Sequence, residues 1–166
     1  MRRRDDDKPD KPQPSAYNKA LGLLVRREQS AKELKRKLDR KGYAPDEAGA
    51  AINRLQAQEF QSDERFAGTL ARSRYAQGHG PRRIRAELRT HGLDDAAVDA
   101  AMEETGADWL GSARRQYQRR YGAKPSTDRQ ELARRAGFLL RRGFDAATVR
   151  AVTHAVDVDD SADDFD

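Results

Sequence analysis

The segment from Phe60 to Leu93 predicts two helices with a tight turn between them: FQSDERFAGTLARSRYAQGHGPRRIRAELRTHGL. Ser62 stands at the start of the first helix, where its hydroxyl can accept a hydrogen bond from a backbone N–H that has no partner within the helix. Asp63 and Glu64 follow and place negative charge at the positive end of the helix dipole. We therefore expect the first helix to begin at Ser62.

Glycine and proline mark the turn of this segment. Gly78 ends the first helix, and Gly80 with Pro81 begins the second, because proline has the φ angle that suits the first position of a helix. Gly92 ends the second helix, since glycine readily adopts the left-handed conformation that often follows a helix. The segment therefore predicts a helix, a tight turn and a helix.

The second helix of the segment has two distinct sides. At about 100° per residue, Ile84, Leu88 and His91 share one side, which we expect to pack into a core. Three arginines occupy a narrow arc that points away from this side, namely Arg82, Arg85 and Arg89. They form either a cationic binding face or an ordinary solvated surface, and both interpretations stay open at this point.

The composition of the 166-residue chain favours helices around a thin core. Hydrophobic residues make up 36% of the chain and charged residues 37%. Leu, Ala, Arg and Glu dominate and β-branched residues are few, so narrow apolar stripes on helices are favoured over a thick buried sheet. We predict an all-α protein.

The net charge of +5 conceals an uneven distribution. Residues 157–166 contain six aspartates and no lysine or arginine. Residues 17–156 hold 28 basic and 18 acidic side chains, a net charge of +10. A body with this charge attracts a polyanion or an acidic macromolecule; the alternative is that the basic surface serves solubility alone.

The residues needed for common catalytic and metal sites are missing or scattered. Cysteine is absent, which excludes disulfides and thiolate chemistry. The histidines His79, His91 and His154 belong to separate helical units and lack the spacing of metal ligands. The turn at Gly78-His79-Gly80 lacks the lysine and the preceding strand of a phosphate-binding loop. We therefore expect no enzyme activity, no metal and no cofactor.

No targeting or membrane-spanning segment is recognisable in the sequence. The apolar runs are too short to cross a bilayer, and Arg2, Arg3 and Arg4 are followed by aspartates rather than by the apolar core of a secretory signal. We expect a cytoplasmic protein without a membrane partner.

A repeated pattern organises the chain. The motif Leu-x-x-x-Gly ends at Gly42, Gly92 and Gly143, spacings of 50 and 51 residues. An aromatic residue or leucine follows each glycine, and a short apolar helix comes next. Side-chain caps are predicted at the start of several helices: Ser30, Asp94, Thr127 and Asp145.

Three copies of a three-helix unit account for the body of the chain. A single unit has a marginal core, so we expect neighbouring copies to stack into an elongated, curved array. In the first unit the apolar pattern begins at Tyr17 and includes Val25. The predicted divisions are a disordered leader at 1–15, repeat 1 at 17–60, repeat 2 at 61–105, repeat 3 at 106–156 and an acidic, disordered tail at 157–166.

The middle repeat carries a family resemblance in two runs, Phe66-Ala67 through Arg72-Ser73-Arg74 and Gly80-Pro81-Arg82-Arg83-Ile84-Arg85-Ala86-Glu87-Leu88 with Gly92. These runs resemble the RecX family of bacterial regulatory proteins. The resemblance extends to repeats 1 and 3 and covers residues 17–156, carried there by Leu34, Leu38, Gly42-Tyr43 and Leu139-Leu140-Arg141-Arg142-Gly143-Phe144. Two departures appear near the start of repeat 2: Glu59 stands where glycine is usual, and Gln61-Ser62 replaces a common apolar-acidic pair.

The resemblance implies tandem three-helix repeats and a function without catalysis. Members of the family bind the recombinase RecA and lodge in the helical groove of its nucleoprotein filament. They inhibit strand exchange, ATP hydrolysis and co-protease activity, often by promoting filament disassembly. The resemblance thus implies a regulator of the RecA filament on single-stranded DNA that modulates DNA repair and the SOS response. Separately, we expect the protein to be a monomer. Weak, non-specific contact with DNA is a further expectation.

A protein that binds DNA directly is the alternative, because three-helix units with basic second helices also resemble helix-turn-helix readers. The face formed by Arg82, Arg85 and Arg89 contains no Asn or Gln, which fits contact with phosphates or carboxylates better than discrimination among base edges. A nuclease or an ATPase is a third alternative, for which the sequence shows no site. The predicted partner-binding residues are Arg72, Arg74, Arg82, Arg85, Arg89, Arg134, Arg135, Arg141 and Arg142.

Overall fold

The structure, a computed structural model, describes residues 13–122 and 124–154. Within these residues it contains nine α-helices and no strand, which confirms the predicted all-α fold of three-helix repeats. The helices are α1 (Ala16–Leu24), α2 (Ala31–Asp39), α3 (Pro45–Ala57), α4 (Asp63–Ala76), α5 (Pro81–Thr90), α6 (Asp95–Glu104), α7 (Trp109–Tyr121), α8 (Arg129–Arg141) and α9 (Ala146–Thr153).

Side-chain caps define where most of these helices begin. The predicted caps Ser30, Ser62, Asp94 and Asp145 each accept a hydrogen bond from a backbone N–H in the first turn, which confirms them. The predicted cap Thr127 is wrong. Asp128 caps α8 by accepting from the Gln130 N–H, and its own N–H donates to the Ser126 hydroxyl. A carboxylate one residue further on reaches the free N–H groups of the helix instead of the threonine hydroxyl.

Residues up to Gln61 form one compact unit around the apolar faces of α1, α2 and α3. Leu34, Leu38 and Leu55 are fully buried in it. Val25, which the apolar pattern assigned to the first helix, lies beyond the end of α1 and is 80% exposed. A short amphipathic helix buries only part of its apolar pattern, because the chain turns away once the helix has ended.

Residues 1–15 are the predicted disordered leader, and the first twelve of them lie outside the described residues. For its last three residues the prediction is wrong. The Gln13 side chain donates to the Lys41 carbonyl at 3.0 Å, and the Tyr43 hydroxyl donates to the Pro14 carbonyl at 2.6 Å. Ser15 caps α1. Residues 13–15 therefore contact repeat 1, which composition did not indicate, while the predicted tail at 157–166 lies wholly outside the described residues.

Residues from Ser62 onward form a second compact unit with two apolar cores. The first lies among α4, α5 and α6 and contains Ile84 and Leu88, as predicted. The second lies among α7, α8 and α9 and contains Leu139 and Phe144. Trp109 packs against both cores. Repeats 2 and 3 therefore share an apolar side chain at their boundary.

The predicted left-handed glycines at the ends of the second helix of each repeat are confirmed. Gly42, Gly92 and Gly143 have φ angles of +85°, +82° and +89°. Glu59 also has a positive φ, +59°, at the position where the family resemblance expects glycine. The backbone therefore keeps its left-handed turn there despite the cost of a Cβ atom.

Among the helices that the structure describes, none combines the length and the apolar composition needed to cross a bilayer.

Candidate arginine-rich binding surface

The predicted arginine face of α5 is partly neutralised by the neighbouring helix. Arg85 forms an ion pair with Asp99, and Arg89 contacts the Asp95 carboxylate at 3.0 Å; both aspartates belong to α6. Arg82 is half-buried, and its backbone N–H donates to the Gly143 carbonyl at 3.0 Å. The expectation of an arc that is cationic along its whole length therefore needs correction, because α6 supplies carboxylates to two of its three arginines.

The predicted arginines of α4 also have carboxylate partners. Arg72 forms an exposed ion pair with Glu104 at 2.6 Å. Arg74 contacts both carboxylate oxygens of Glu87 at 2.6 and 2.8 Å, a two-point pairing that ties α4 to α5. The hydrogen bond from Arg74 lowers the pKa of the Glu87 carboxyl, although partial burial acts in the opposite direction. Arg74 is therefore at least in part a structural residue.

Arg135 of α8 is buried, which corrects the expectation that it lies on the binding surface. Its side chain is 5% exposed and donates to the Tyr117 hydroxyl at 2.8 Å, the Lys124 carbonyl at 2.9 Å and the Glu131 carboxylate. These bonds join α8 to α7 and to the loop that follows it. The adjacent Arg134, in contrast, is exposed.

The turn between α4 and α5 packs directly on the turn between α8 and α9, and we call this contact the joint. The Gly80 N–H donates to the Arg142 carbonyl at 2.7 Å. The Arg142 guanidinium in turn donates to the Gly78 carbonyl at 3.3 Å. A Cβ atom on Gly80 would overlap the backbone of Gly143 and Phe144, so this approach requires glycine. The predicted turn thus serves as the contact between two repeats.

Four arginines meet at the joint, and we call them the joint cluster: Arg83, Arg119, Arg120 and Arg142. Arg120 and Arg142 both lie over the Phe138 ring, at 4.8 and 5.2 Å from its centre. The pKa of Arg142 is lowered by burial and then by the positive charges of Arg119, Arg83 and Arg120. None of the four forms an ion pair with a carboxylate in residues 13–122 or 124–154.

Sequence reasoning selected Arg142 of this cluster and missed the other three. Helical spacing favoured Arg82 over its neighbour Arg83, because only Arg82 falls on the arc of Arg85 and Arg89. A usable signal was present in the paired arginines at helix ends, Arg82-Arg83, Arg119-Arg120 and Arg141-Arg142. Each pair lies within three residues of a glycine, and two of the pairs flank the turns that form the joint.

His79 lies in the turn of the joint. Its Nδ1 atom is buried and has no hydrogen-bond partner among the described residues. Burial lowers the pKa of the imidazole, as do the charges of Arg83, Arg74 and Arg142, whereas Glu87 acts in the opposite direction. The described part of the chain contains no group of three His, Cys, Asp or Glu side chains that could hold a metal ion.

The fold and the surface together define a class of protein: tandem three-helix domains with a basic, arginine-rich exterior. Three family models match the chain in order, the first three-helix domain of RecX at residues 16–55, the second at 62–102 and the third at 108–153. Together these models span most of the chain. The chain therefore belongs to the RecX family.

Individual relatives agree with this assignment. Regulatory protein RecX of Xanthomonas oryzae pv. oryzae (strain MAFF 311018) is 49% identical over 135 residues, which are 81% of this chain and 84% of that protein. Regulatory protein RecX of Stenotrophomonas maltophilia (strain K279a) is 47% identical over 135 residues, 81% of this chain and 83% of that protein.

Solved structures share the fold. A crystal structure of regulatory protein RecX matches with a TM-score of 0.70 and 21% identity, over 84% of this chain and 70% of that one. The crystal structure of RecX from Lactobacillus salivarius matches with a TM-score of 0.68 and 23% identity, over 84% of this chain and 92% of that one.

Proposed function

We propose that this protein binds the RecA filament on single-stranded DNA and inhibits its recombinase, ATPase and co-protease activities. It would thereby modulate DNA repair and the SOS response. The proposal assigns no catalytic step to the protein and treats it as a monomer that acts in the cytoplasm. The observation that carries it is the match of all three RecX domains in order along one chain.

The repetition of the domains supports a filament as the partner. A filament presents many copies of the same surface, so a protein with three similar domains can contact neighbouring subunits at once. Each further contact then forms at a raised effective concentration, which increases the overall affinity without any single strong contact. The excess positive charge of residues 17–156 favours acidic surfaces and accelerates the encounter with them.

Six arginines outside the joint cluster, each at least partly exposed, are our candidates for the contact with RecA. Arg85 and Arg89 pair with carboxylates at exposed positions, where an ion pair contributes about 0.2–1 kcal/mol. Such a pair is weak enough to be exchanged for an acidic group of a partner. The other candidates are Arg72, Arg82, Arg134 and Arg141. Arg135 is excluded because it is buried.

Co-sedimentation with RecA assembled on single-stranded DNA tests the proposal, with naked DNA as the control. We expect the protein to pellet with the filament at physiological salt and in much smaller amount with DNA alone. A protein that remains in the supernatant with RecA filaments would contradict the proposal. Equal pelleting with naked DNA would favour the direct DNA-binding alternative.

A further inference from the structure

The charge of the joint cluster is not balanced by any carboxylate of residues 13–122 or 124–154. In the same compact unit, Arg72, Arg74, Arg85 and Arg89 each have an acidic partner. At the joint, burial and the charges of its three neighbours lower the pKa of Arg142. Carboxylates among these guanidinium groups would relieve their mutual repulsion. The joint cluster therefore lacks the counter-charge that the paired arginines have.

The chain itself carries an excess of carboxylates just beyond the described residues. Residues 157–166, which we call the acidic segment, contain six aspartates and no lysine or arginine. We propose that the acidic segment binds the joint cluster of its own chain and supplies carboxylate partners to its arginines. This inference is independent of the proposed action on RecA, because it concerns a contact within one molecule.

The last helix leads from the joint to the acidic segment. α9 begins at Ala146, directly after the turn that packs on Gly80, and its eight residues end at Thr153. At about 1.5 Å per residue the helix is about 12 Å long. Residues 155–166 can span up to about 40 Å when extended, at about 3.3–3.6 Å per residue. The aspartates can therefore reach back along α9 to the joint.

The side chains of the joint cluster are placed to bind carboxylates. Arg142 donates to the Gly78 carbonyl at 3.3 Å, which holds its guanidinium group in the joint. Arg83, Arg119 and Arg120 are exposed. One guanidinium group can donate two parallel hydrogen bonds to a single carboxylate. The three exposed arginines can thus pair with several aspartates at once.

Aromatic rings beside the cluster suit the one aromatic residue of the acidic segment, Phe165. The rings of Phe138 and Tyr121 are half-buried and meet edge to face at 5.7 Å. Arg120 lies over both rings. A further aromatic ring can pack against such rings and against guanidinium planes. Phe165 therefore has partners on the same surface that attracts the aspartates on either side of it.

Covalent connection favours this contact although each ion pair is weak. Exposed ion pairs contribute little individually, because water and salt screen them. The acidic segment belongs to the same chain as the cluster, so its effective concentration there is high at any protein concentration. The contact should therefore form at low salt and be released at high salt. An external anion gains the cluster only after the acidic segment has been displaced.

The test is paramagnetic relaxation enhancement in NMR spectra of the isotopically labelled, full-length chain. Because the chain contains no cysteine, Ser161→Cys provides a single attachment site for a nitroxide within the acidic segment. The nitroxide broadens the backbone amide signals of residues that come close to it. The signals of Arg83, Arg119 and Arg120 are compared with those of the first turn of α4, which lies about 20 Å along that helix from the joint.

Three variants, each also carrying the nitroxide, separate the contact at the joint from general attraction. The cluster variant leaves Arg142 in place, because that side chain bonds the joint, and carries Arg83→Gln, Arg119→Gln and Arg120→Gln. The matched control removes the same charge from three arginines that already have carboxylate partners: Arg72→Gln, Arg85→Gln and Arg89→Gln. The acidic-segment variant replaces all six aspartates: Asp157→Asn, Asp159→Asn, Asp160→Asn, Asp163→Asn, Asp164→Asn and Asp166→Asn.

At low salt we expect the enhancement at Arg83, Arg119 and Arg120 to exceed that in the first turn of α4 severalfold. It should disappear between about 0.01 M salt, where the screening length is about 30 Å, and about 1 M, where it is about 3 Å. The cluster and acidic-segment variants should lose most of it, and the matched control should keep it. Circular dichroism identifies a variant that fails to fold; should the cluster variant fail, the acidic-segment variant decides, because it changes no described residue.

Three results would overturn the inference. The first is an enhancement at the joint that is no larger than in the first turn of α4 at low salt. The second is an equal loss in the cluster variant and the matched control, because net charge would then explain the attraction. The third is broadening of a labelled chain without nitroxide when unlabelled nitroxide-carrying chain is added, which would assign the contact to a second copy. These samples contain no RecA, so this inference and the proposed function can fail independently.

Discussion

The exposed side of α5 and the joint between repeats 2 and 3 are both rich in arginine, yet their charges are balanced in different ways. On α5, Arg85 and Arg89 face the carboxylates of Asp99 and Asp95 on α6. At the joint, Arg83 and its three neighbours face carbonyl oxygens, aromatic rings and one another. Residues a few positions apart on α5 thus belong to two surfaces, one with carboxylate partners for its arginines and one without them.

The comparison shows that the number of arginines on a helix face is a poor measure of its capacity to bind anions. An exposed ion pair is nearly neutral at a distance, and its attraction for a further anion is reduced accordingly. Arginines without carboxylate partners keep their full charge. Three of the four predictions that follow disturb one or the other surface, and one concerns the buried Arg135; they are given in order of decreasing expected effect.

The largest effect is expected from Gly143→Ala, which disrupts the joint. Gly143 has a φ of +89°, and an added Cβ would lie 2.5 Å from the backbone nitrogen of Arg83. Strain and overlap together should lower the free energy of unfolding by about 4 kcal/mol or more. The matched control is Gly42→Ala, where φ is +85° but nothing lies within 4 Å of the added atom. That change should cost only about 1–2 kcal/mol in urea titrations. Equal losses would mean that the joint is not tightly packed.

Arg135→Ala tests a buried arginine whose guanidinium group is hydrogen-bonded inside the fold. The substitution leaves the Tyr117 hydroxyl and the Lys124 carbonyl without their donor. We expect the free energy of unfolding to fall by about 2 kcal/mol. Arg134→Ala, at the exposed neighbouring position, should change it by no more than about 0.5 kcal/mol. Similar stabilities for the two variants in thermal or urea unfolding would show that Arg135 is not a structural residue.

Charge reversal on α5 tests the arginines that are paired with carboxylates. Arg85→Glu together with Arg89→Glu places like charges against Asp99 and Asp95, and should cost about 1 kcal/mol of stability in total. Adding Asp95→Arg and Asp99→Arg should restore it by recreating the pairs with opposite polarity. Failure of this exchange to restore stability in urea unfolding would show that the ion pairs do not stabilise repeat 2.

The smallest effect is expected from a single proton at His79. Its pKa in the folded protein lies below the ordinary value of about 6.5, so the unfolded chain binds the proton more readily. The stability from this neutral imidazole is fully present above about pH 6.5 and is lost as the pH falls towards the folded pKa. His79→Gln should therefore flatten the decline in unfolding free energy between about pH 7 and about pH 5.5.

Two carboxyl groups with lowered pKa values, Glu87 and Glu33, affect stability at a lower pH than His79 does. The pKa of Glu87 is lowered by Arg74. Burial raises the pKa of Glu33, but the hydrogen bonds and charges of Arg27 and Lys37 together outweigh it and lower the pKa. The stability from both groups is lost only as the pH falls below the unfolded value of about 4.3. An unchanged pH profile in the His79→Gln variant would show that the buried imidazole is not the titrating group.

The sequence predicted the elements that depend on local chemistry. Ser62 and Asp94 cap helices because a short polar side chain can reach the free N–H groups only from that position. Gly143 was predicted to be left-handed because of its place after α8. The buried face of α5 followed from helical spacing alone. Each of these inferences needed only residues within a few positions of one another.

The sequence did not predict what depends on contacts between distant helices. Arg85 meets Asp99, and Arg135 becomes buried, only because other helices pack against them. Arg83 and Arg142 are distant in the sequence. They come close because the turn at Gly80 packs on the turn at Gly143. Helical spacing shows which residues share a face, but it does not show what lies opposite that face.

The rate of ATP hydrolysis by RecA on single-stranded DNA tests the central claim most directly. The purified full-length chain is titrated into preformed filaments while ATP turnover is followed, with the same chain after heat denaturation as the control. The proposed function predicts that turnover falls progressively with added protein and reaches a low plateau once the filaments are saturated. Turnover that stays at the rate of RecA alone, at protein concentrations that saturate co-sedimentation, would contradict it.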